Sequence, residues 1–386
     1  MHFKPRPYQI EAISRGIDFF NSNKNENAFQ ILPTGSGKSV VIANIAMALE
    51  GKTLVFQPSK EILVQNHKKF TSYGFRAGIY SASAGHKFID KVTFATIGSV
   101  IRKAHLFKDV KHIIIDECHL VNAYDKDTMY NTFINAIPGA KVLGLTATPY
   151  RLSSSFDGAM LKFINRTSPR IFNKCNYYIQ NDTLFNAGHL SKLEYFSFEV
   201  VDRTKLQMNS TGSDFTDASL KSYYRQINMP KQTVMYANRI LSKRKNLLVF
   251  CSLISEAEEV SKGIPGSVVL TGETEGSKRD SILSQFKAGL IKCVINVGVL
   301  TTGFDYPELE SVLIARSTMS LALYSQIVGR VMRPHKEKET AWVIDLGGNV
   351  KFFGKIETMK IVEDNRGKLS IWNNGRQLTN VSFTKN

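Results

Sequence analysis

"ILPTGSGKSV" (residues 31–40) sets an apolar run against two glycines, a lysine and a serine. The strict phosphate-loop pattern G-x-x-x-x-G-K-[ST] asks for a glycine where this chain has Leu32. The pattern fails, yet the local physics survives. A buried strand ending at Leu32, a short turn and a helix from Lys38 would aim backbone amides at an anion. Pro33, Thr34, Gly35, Ser36 and Gly37 make the turn, and the two glycines let the backbone wrap closely. Lys38 reaches terminal phosphates and the Ser39 hydroxyl suits Mg²⁺. A chance Gly-Ser-Gly-Lys turn is the competing reading of this stretch alone.

Further on, "IIIDECH" (113–119) is an apolar strand ending in two adjacent carboxylates. A buried site does not tolerate such a pair without a cation or a partner. Asp116 fits a Mg²⁺ contact, and Glu117 is placed to orient and deprotonate an attacking water. The bland alternative is a solvated strand end. With a phosphate loop upstream, a nucleotide-hydrolysing site is the better reading.

The rest of the chain extends this frame. The first 150 residues alternate apolar runs, "AFQIL" (28–32), "TLVFQ" (53–57), "VTFAT" (92–96), "HIIID" (112–116) and "KVLGLT" (141–146), with amphipathic stretches. The rhythm returns with "NLLVFCS", "SVVLTG", "KCVINV", "SVLIA" and "TAWVIDL" after residue 245. Strand and helix in alternation predict α/β lobes, each a mostly parallel sheet flanked by helices. The expected division is lobe 1 at 1–150, a connecting segment at 151–185, lobe 2 at 186–349 and a basic tail at 350–386. In that tail "LSIWNNGRQLTNV" reads as a hairpin around Asn-Gly.

Composition bounds the partners. The 386 residues carry 50 Lys and Arg against 33 Asp and Glu, a formal charge of +17. A polyanion explains such an excess better than chance, because a basic face gains affinity by releasing condensed counterions. No apolar run approaches the roughly 18 residues of a membrane span, and the N-terminus lacks a signal-peptide core. A cytoplasmic protein without a membrane partner is therefore expected. The four cysteines form no C-x-x-C pair, so neither a disulfide nor a structural metal is expected.

Taken together, "PTGSGKS", "DECH", "GLTATPYR", "VGVLTTGFDYP" and "QIVGRVMRP" resemble, in order and spacing, the motifs of superfamily 2 helicases. The resemblance runs from about residue 3 to 347. Within the superfamily, "LTGETEGSKRDSILSQFKAG", "VLTTGFD" and "LYSQIVGR" are most similar to the RadD group of bacterial DNA-repair ATPases. The resemblance implies two RecA-like lobes with ATP and Mg²⁺ in the cleft between them. It implies that Gln9 reads the adenine edge, with Arg6 and Tyr8 nearby, and that "TAT" (146–148) links the nucleotide site to a nucleic-acid groove. Gly303 and Asp305 would help bind nucleotide. "QIVGRVMR" would place Gln326, Arg330 and Arg333 on one helix, the arginines three apart and reaching the γ-phosphate.

Nucleic acid should then cross the strand-to-helix junctions of both lobes. Pro58, Ser59, Lys60, Gln65, Thr96 and Ser99 stand there in lobe 1. Ser252, Thr271, Gly272, Thr301 and Thr302 do so in lobe 2. Hydroxyls and amides at such junctions suit phosphates without sequence readout; ordinary helix caps would look the same singly. The expectation is a monomeric ATP-dependent DNA helicase or translocase for replication, recombination or repair, on forked or branched DNA. DNA is favoured over RNA by the subgroup resemblance alone. An RNA helicase and a catalytically weak nucleic-acid clamp are the alternatives.

Overall fold

The computed structural model describes residues 4–24, 26–121, 128–155, 158–167, 170–301 and 303–383. Contacts divide the chain into two units, Met1–Arg151 with Lys162–Ile179, and Leu152–Leu161 with Gln180–Asn386. Among the described residues no helix is long and apolar enough to cross a membrane.

The first unit runs α1 (Pro7–Asn21), β1 (Ala28–Ile31), α2 (Lys38–Ala48), β2 (Lys52–Phe56) and α3 (Lys60–Thr71). It continues through β3 (Gly78–Ser81), β4 (His86–Lys87), β5 (Val92–Ala95), α4 (Ile97–Val100), β6 (Val110–Asp116), α5 (Met129–Asn135) and β7 (Lys141–Thr146). After β8 (Tyr150–Ser155) and β9 (Gly158–Phe163), which are neighbours in a separate sheet and fall largely in the second unit, β10 (Lys174–Tyr178) returns to lie beside β1. The sheet order is β10-β1-β7-β6-β2-β5-β3-β4, parallel throughout except for the short edge strand β4. Its central strands are buried over most of their length, from His112 to Asp116 and Val142 to Thr146 among others. That is why they read as unbroken apolar runs instead of alternating ones. Every parallel strand delivers its C-terminal end to the same edge, where ligands bind in such sheets.

After its 152–161 segment the second unit continues with α6 (Asn181–Asn186), β11 (Lys192–Ser197), α7 (Asp217–Gln226) and α8 (Met229–Leu241). Then come β12 (Leu247–Cys251), α9 (Ile254–Lys262), β13 (Val268–Leu270), α10 (Gly276–Lys287), β14 (Cys293–Asn296), β15 (Ser311–Ala315), α11 (Leu321–Gly329), β16 (Thr340–Asp345) and α12 (Asn349–Phe353). Its strands pair in parallel in the order β11-β16-β15-β12-β14-β13. Both units are therefore the mostly parallel α/β sheets that the alternation predicted, and they have the RecA-like form that the resemblance implied.

The tail adds β17 (Lys360–Glu363), β18 (Leu369–Asn373) and β19 (Arg376–Gln377) as an antiparallel sheet, and β20 (Ser382–Phe383) pairs with β9. The expected Asn-Gly hairpin is present: Asn373 pairs with Arg376, and the two loop residues have φ of 49° and 75°. Cys118, Cys251 and Cys293 are buried free thiols, and Cys175 is half-buried.

One local expectation is corrected. Helix α11 stops at Gly329, so Arg330 caps it and Arg333 lies beyond it; the two do not share a helical face. The last turn tightens into three-residue hydrogen bonds, Arg330 N to Ile327 O and Val331 N to Val328 O, each 3.1 Å. Pro334 reinforces the stop, because the residue before a proline is pushed out of helical geometry.

Candidate active site

The 33–37 turn leaves the C-terminal end of β1 and delivers Lys38 as the first residue of α2. Gly35 and Gly37 have φ of 84° and 82°, in the left-handed region that only glycine enters freely. A Cβ on Gly37 would also stand 2.6 Å from Gln9 Nε2, so a side chain there would displace the Gln9 amide from the turn. Pro33 and Ser36 are buried while Thr34 is half-exposed. The N-terminal residues brace this turn. The Tyr8 hydroxyl donates to Ser36 O at 2.7 Å, and Gln9 Nε2 donates to the same carbonyl at 2.8 Å. Gln9 Oε1 accepts from Arg6 N at 2.9 Å, and an Arg6 guanidinium nitrogen lies 3.5 Å from the Tyr8 hydroxyl. Gln9 is thus buried, with both ends of its amide engaged inside the chain.

Two strands away, β6 ends in Asp116, and Glu117 follows with φ of 50°. A non-glycine residue in this conformation is uncommon and clusters at functional sites. The bend brings Glu117 Oε1 to 3.3 Å from Lys38 Nζ, both side chains being less than one-fifth exposed. Asp116 Oδ1 accepts from Glu117 N at 3.0 Å and Oδ2 from Asn66 Nδ2 at 3.3 Å. Burial, and then the Glu117 charge beside it, push the Asp116 carboxyl up to about 7. Burial also presses Glu117 upward, but Lys38 and His119 together hold it below the ordinary carboxylate range. The result is one ionised carboxylate against one ammonium, with a second carboxyl alongside that is reluctant to ionise.

That donor set fits a magnesium ion. Two neighbouring carboxyls share one lysine, and a divalent cation would let both ionise. Ser39 and Asp116 would hold it, the Ser39 Oγ being a hydroxyl that accepts from Lys69 Nζ at 3.0 Å. Among the described residues no group of three His, Cys, Asp or Glu side chains forms a self-contained metal site, which accords with Mg²⁺ keeping much of its water.

Three polar residues outside the sequence-derived set complete this end of the unit. His119 Nδ1 lies 3.4 Å from Glu117 Oε2, 2.8 Å from Thr146 Oγ1 and 3.2 Å from Thr148 Oγ1. The histidine therefore joins the carboxylate to the "TAT" segment after β7. Its place in "DECH", two residues after Glu117, was the available signal. Asn66 and Lys69 reach the site from α3 and carry no sequence mark, because only the sheet order brings that helix alongside.

In the second unit Asp305 and Arg333 form an ion pair, about one-third exposed. Arg330 is buried: its NH1 donates to Phe304 O at 2.6 Å and its Nε to Gln326 O at 3.1 Å. Gly303 has φ of 75°. The arginines and Asp305 come together, while Gln326 contributes a backbone carbonyl.

The junction residues gather at the C-terminal strand ends. In the first unit Pro58, Ser59 and Lys60 follow β2, with Ser59 capping α3 through Ile62 N at 3.4 Å and Gln65 exposed on that helix. Thr96 follows β5 and its hydroxyl meets Ser99 Oγ at 2.9 Å and Ser81 Oγ at 3.1 Å. In the second unit Ser252 follows β12, Thr271 and Gly272 follow β13, and Thr301 follows β14. Thr302 lies outside the described residues. The Thr271 hydroxyl accepts from Glu273 N at 3.2 Å, a local turn bond, and Ser252 N donates to Glu256 Oε2 at 3.2 Å.

Comparison with known proteins agrees with this anatomy. Residues 2–151 match the family model described as Type III restriction enzyme, res subunit, and residues 232–335 match the helicase conserved C-terminal domain. One model falls in each unit, and the two together indicate a superfamily 2 helicase. It is 25% identical over 370 residues to the putative ATP-dependent helicase IRC3 of Saccharomyces cerevisiae, covering 89% of this chain and 51% of that protein. It is 24% identical over 370 residues to the DNA 3'-5' translocase XPB2 of Sulfurisphaera tokodaii, covering 86% and 79% respectively. A fragment of a putative HsdR subunit of a type I restriction enzyme from Vibrio vulnificus shares the fold with a TM-score of 0.67 at 21% identity, over 95% of this chain and 70% of that one. The chain spans between 51% and 64% of the length of the first curated relatives it matches.

Proposed function

We propose that this chain is a nucleic-acid-stimulated ATPase that moves along DNA, most similar to the RadD group, and that it serves replication, recombination or repair at forked or branched DNA. The observation that carries the reading is the meeting of Lys38 with Glu117 at 3.3 Å beside Asp116, at the end of a turn whose two glycines hold positive φ. Amides of the 33–37 turn and Lys38 hold the phosphates of ATP. Ser39 and Asp116 hold Mg²⁺, which when bound neutralises phosphate charge. Glu117 takes the proton of the attacking water, and its depressed pKa keeps it ionised for that role. Arg330 and Arg333 serve as the cationic residues that oppose charge developing on the γ-phosphate. A relative named as a DNA 3'-5' translocase favours DNA as the track, and the charge of +17 suits a polyanion. Contacts from Ser59, Lys60, Thr96, Ser252 and Thr271 to phosphates would be blind to sequence.

The test is an ATPase assay with single-stranded, duplex and forked DNA and matched RNA. Forked DNA is expected to stimulate hydrolysis most. Stimulation by RNA alone would overturn the choice of track, and no stimulation by either would overturn the motor.

A further inference from the structure

Lys338 stands apart from both motif clusters, at the start of the approach to β16, and only 7% of its surface is exposed. Its ammonium has three N–H groups, and all three are used on backbone carbonyls: Pro307 O at 2.7 Å, Leu309 O at 3.0 Å and Val331 O at 3.0 Å. No carboxylate lies within ion-pair distance of it among the described residues. A buried cation with no carboxylate in direct contact is expensive, and an apolar residue would ordinarily serve the core better. The position of the three carbonyls supplies the reason for keeping it. Pro307 and Leu309 follow Asp305 along one segment; Val331 lies between Arg330 and Arg333 on the other. Helix α11 has ended at Gly329, so Val331 lies outside it and its carbonyl belongs to irregular backbone that needs a partner from elsewhere.

We propose that Lys338 is a positioning residue for hydrolysis: its ammonium clamps the 305–309 segment to the 330–333 segment and thereby fixes Arg330 and Arg333. The inference rests on the reading that these arginines act on ATP. Three neighbouring bonds act in the same direction. Arg330 reaches Phe304 O, Ser191 N donates to Met332 O at 2.8 Å, and Ser191 Oγ donates to Arg333 O at 2.8 Å. Arg330 also reaches Gln326 O, and the Arg333–Asp305 ion pair spans the same two segments; Lys338 adds three backbone carbonyls to that junction. An error of about 1 Å in a catalytic group can lower a rate about 10²-fold, so a clamp remote from the phosphates still governs turnover.

The clamp carries its own pH signature. Burial lowers the Lys338 pKa to about 8; Glu310 opposes that shift and Arg333 adds to it. The other ionisable groups around it, lining the adjoining cavity, are Lys245, Lys287, Tyr306, Glu308, His335 and Glu337. Above about pH 8 the amine loses one of its three donors, and one carbonyl is released. Turnover should therefore decline on the alkaline side with a midpoint near 8, while ATP affinity stays level.

The experiment compares wild type, Lys338→Met, Lys338→Arg and Arg333→Ala for ATP affinity, DNA-stimulated turnover from pH 6.5 to 9.5, and thermal unfolding. Lys338→Met keeps the length and loses the donors; it is expected to lower turnover about 10²-fold with ATP affinity within about twofold. Lys338→Arg keeps the charge, so it should retain more turnover than the methionine variant and lose the alkaline decline. A Lys338→Met protein that is less stable yet turns over normally per folded molecule would overturn the proposal, assigning the lysine to the core alone. So would an alkaline decline that persists unchanged in Lys338→Arg. Failure of the underlying reading looks different: either wild type lacks stimulated hydrolysis, or Arg333→Ala is fully active, and each of these overturns the positioning role as well.

Discussion

Lys38 has one ammonium and two demands on it, the phosphates it is read to hold and the Glu117 carboxylate 3.3 Å away. Removing the two roles one at a time separates binding from chemistry. Glu117→Gln preserves shape and deletes the proton acceptor, so ATP affinity should hold while turnover falls by about 10²- to 10⁴-fold, the range for lost general-base catalysis. Equilibrium binding of a fluorescent ATP analogue beside steady-state hydrolysis measures both; undiminished hydrolysis would disqualify Glu117 as the base. His119 makes a subtler case. Its ring touches Glu117, Thr146 and Thr148, so it can report to the carboxylate what happens at the strand end after β7. His119→Ala should leave unstimulated hydrolysis within a few-fold of wild type and abolish most of the stimulation by DNA. Equal loss with and without DNA would make His119 part of the site's frame rather than its link.

At the scale of the element, helix α9 carries a buried cost that pH reveals. Glu256, in its first turn and 5% exposed, accepts from Ser252 N at 3.2 Å, while its other oxygen is buried without a hydrogen-bond partner among the described residues. Burial raises its carboxyl from 4.5 to about 8. Below 4.5 the folded and unfolded chains are both protonated there, and the full stability is present. Between 4.5 and about 8 the unfolded chain gives up the proton and the folded one keeps it, so stability falls as pH rises, by at most about 1.4 kcal/mol per pH unit. Glu256→Gln should flatten that decline, seen as a melting temperature raised at pH 8 and little changed at pH 4.5. An identical slope in both proteins would place the charge elsewhere. Elements of this kind also mark what the sequence could disclose. Strands buried on both faces announced themselves as apolar runs, and the Asn374-Gly375 turn declared its hairpin because both residues must take positive φ. The β3–β4 pair and β10 were not legible, being short or polar, and gaining their places from the neighbours they pair with. The end of α11 was misread because the pattern of apolar residues continues through "VGRVMR" while the hydrogen bonding does not.

Over the whole molecule, the excess of 50 basic against 33 acidic residues is too large to be absorbed by local pairing. Several ion pairs join exposed side chains, such as Lys52 with Asp109, and contribute little. What remains is a field that draws in a polyanion and is weakened as salt shortens its reach, to about 8 Å at physiological ionic strength. If the strand-end hydroxyls, amides and lysines form a phosphate track, binding should be driven by counterion release, with log affinity falling linearly in log salt. For a single strand each neutralised phosphate contributes about 0.7 to that slope, so about six contacts would reduce affinity on the order of 10²- to 10³-fold between 50 and 200 mM salt. Lys60 is exposed at the start of α3, directly after β2. Lys60→Ala should lower the slope by about 0.7 and weaken every sequence alike, since a phosphate contact positions without reading bases. Fluorescence anisotropy of labelled oligonucleotides, titrated at four salt concentrations with two unrelated sequences, measures slope and selectivity together. A wild-type affinity indifferent to salt would detach the charge from DNA binding altogether. An unchanged slope in Lys60→Ala, with the wild-type slope as expected, would instead move the track away from the β2–α3 junction.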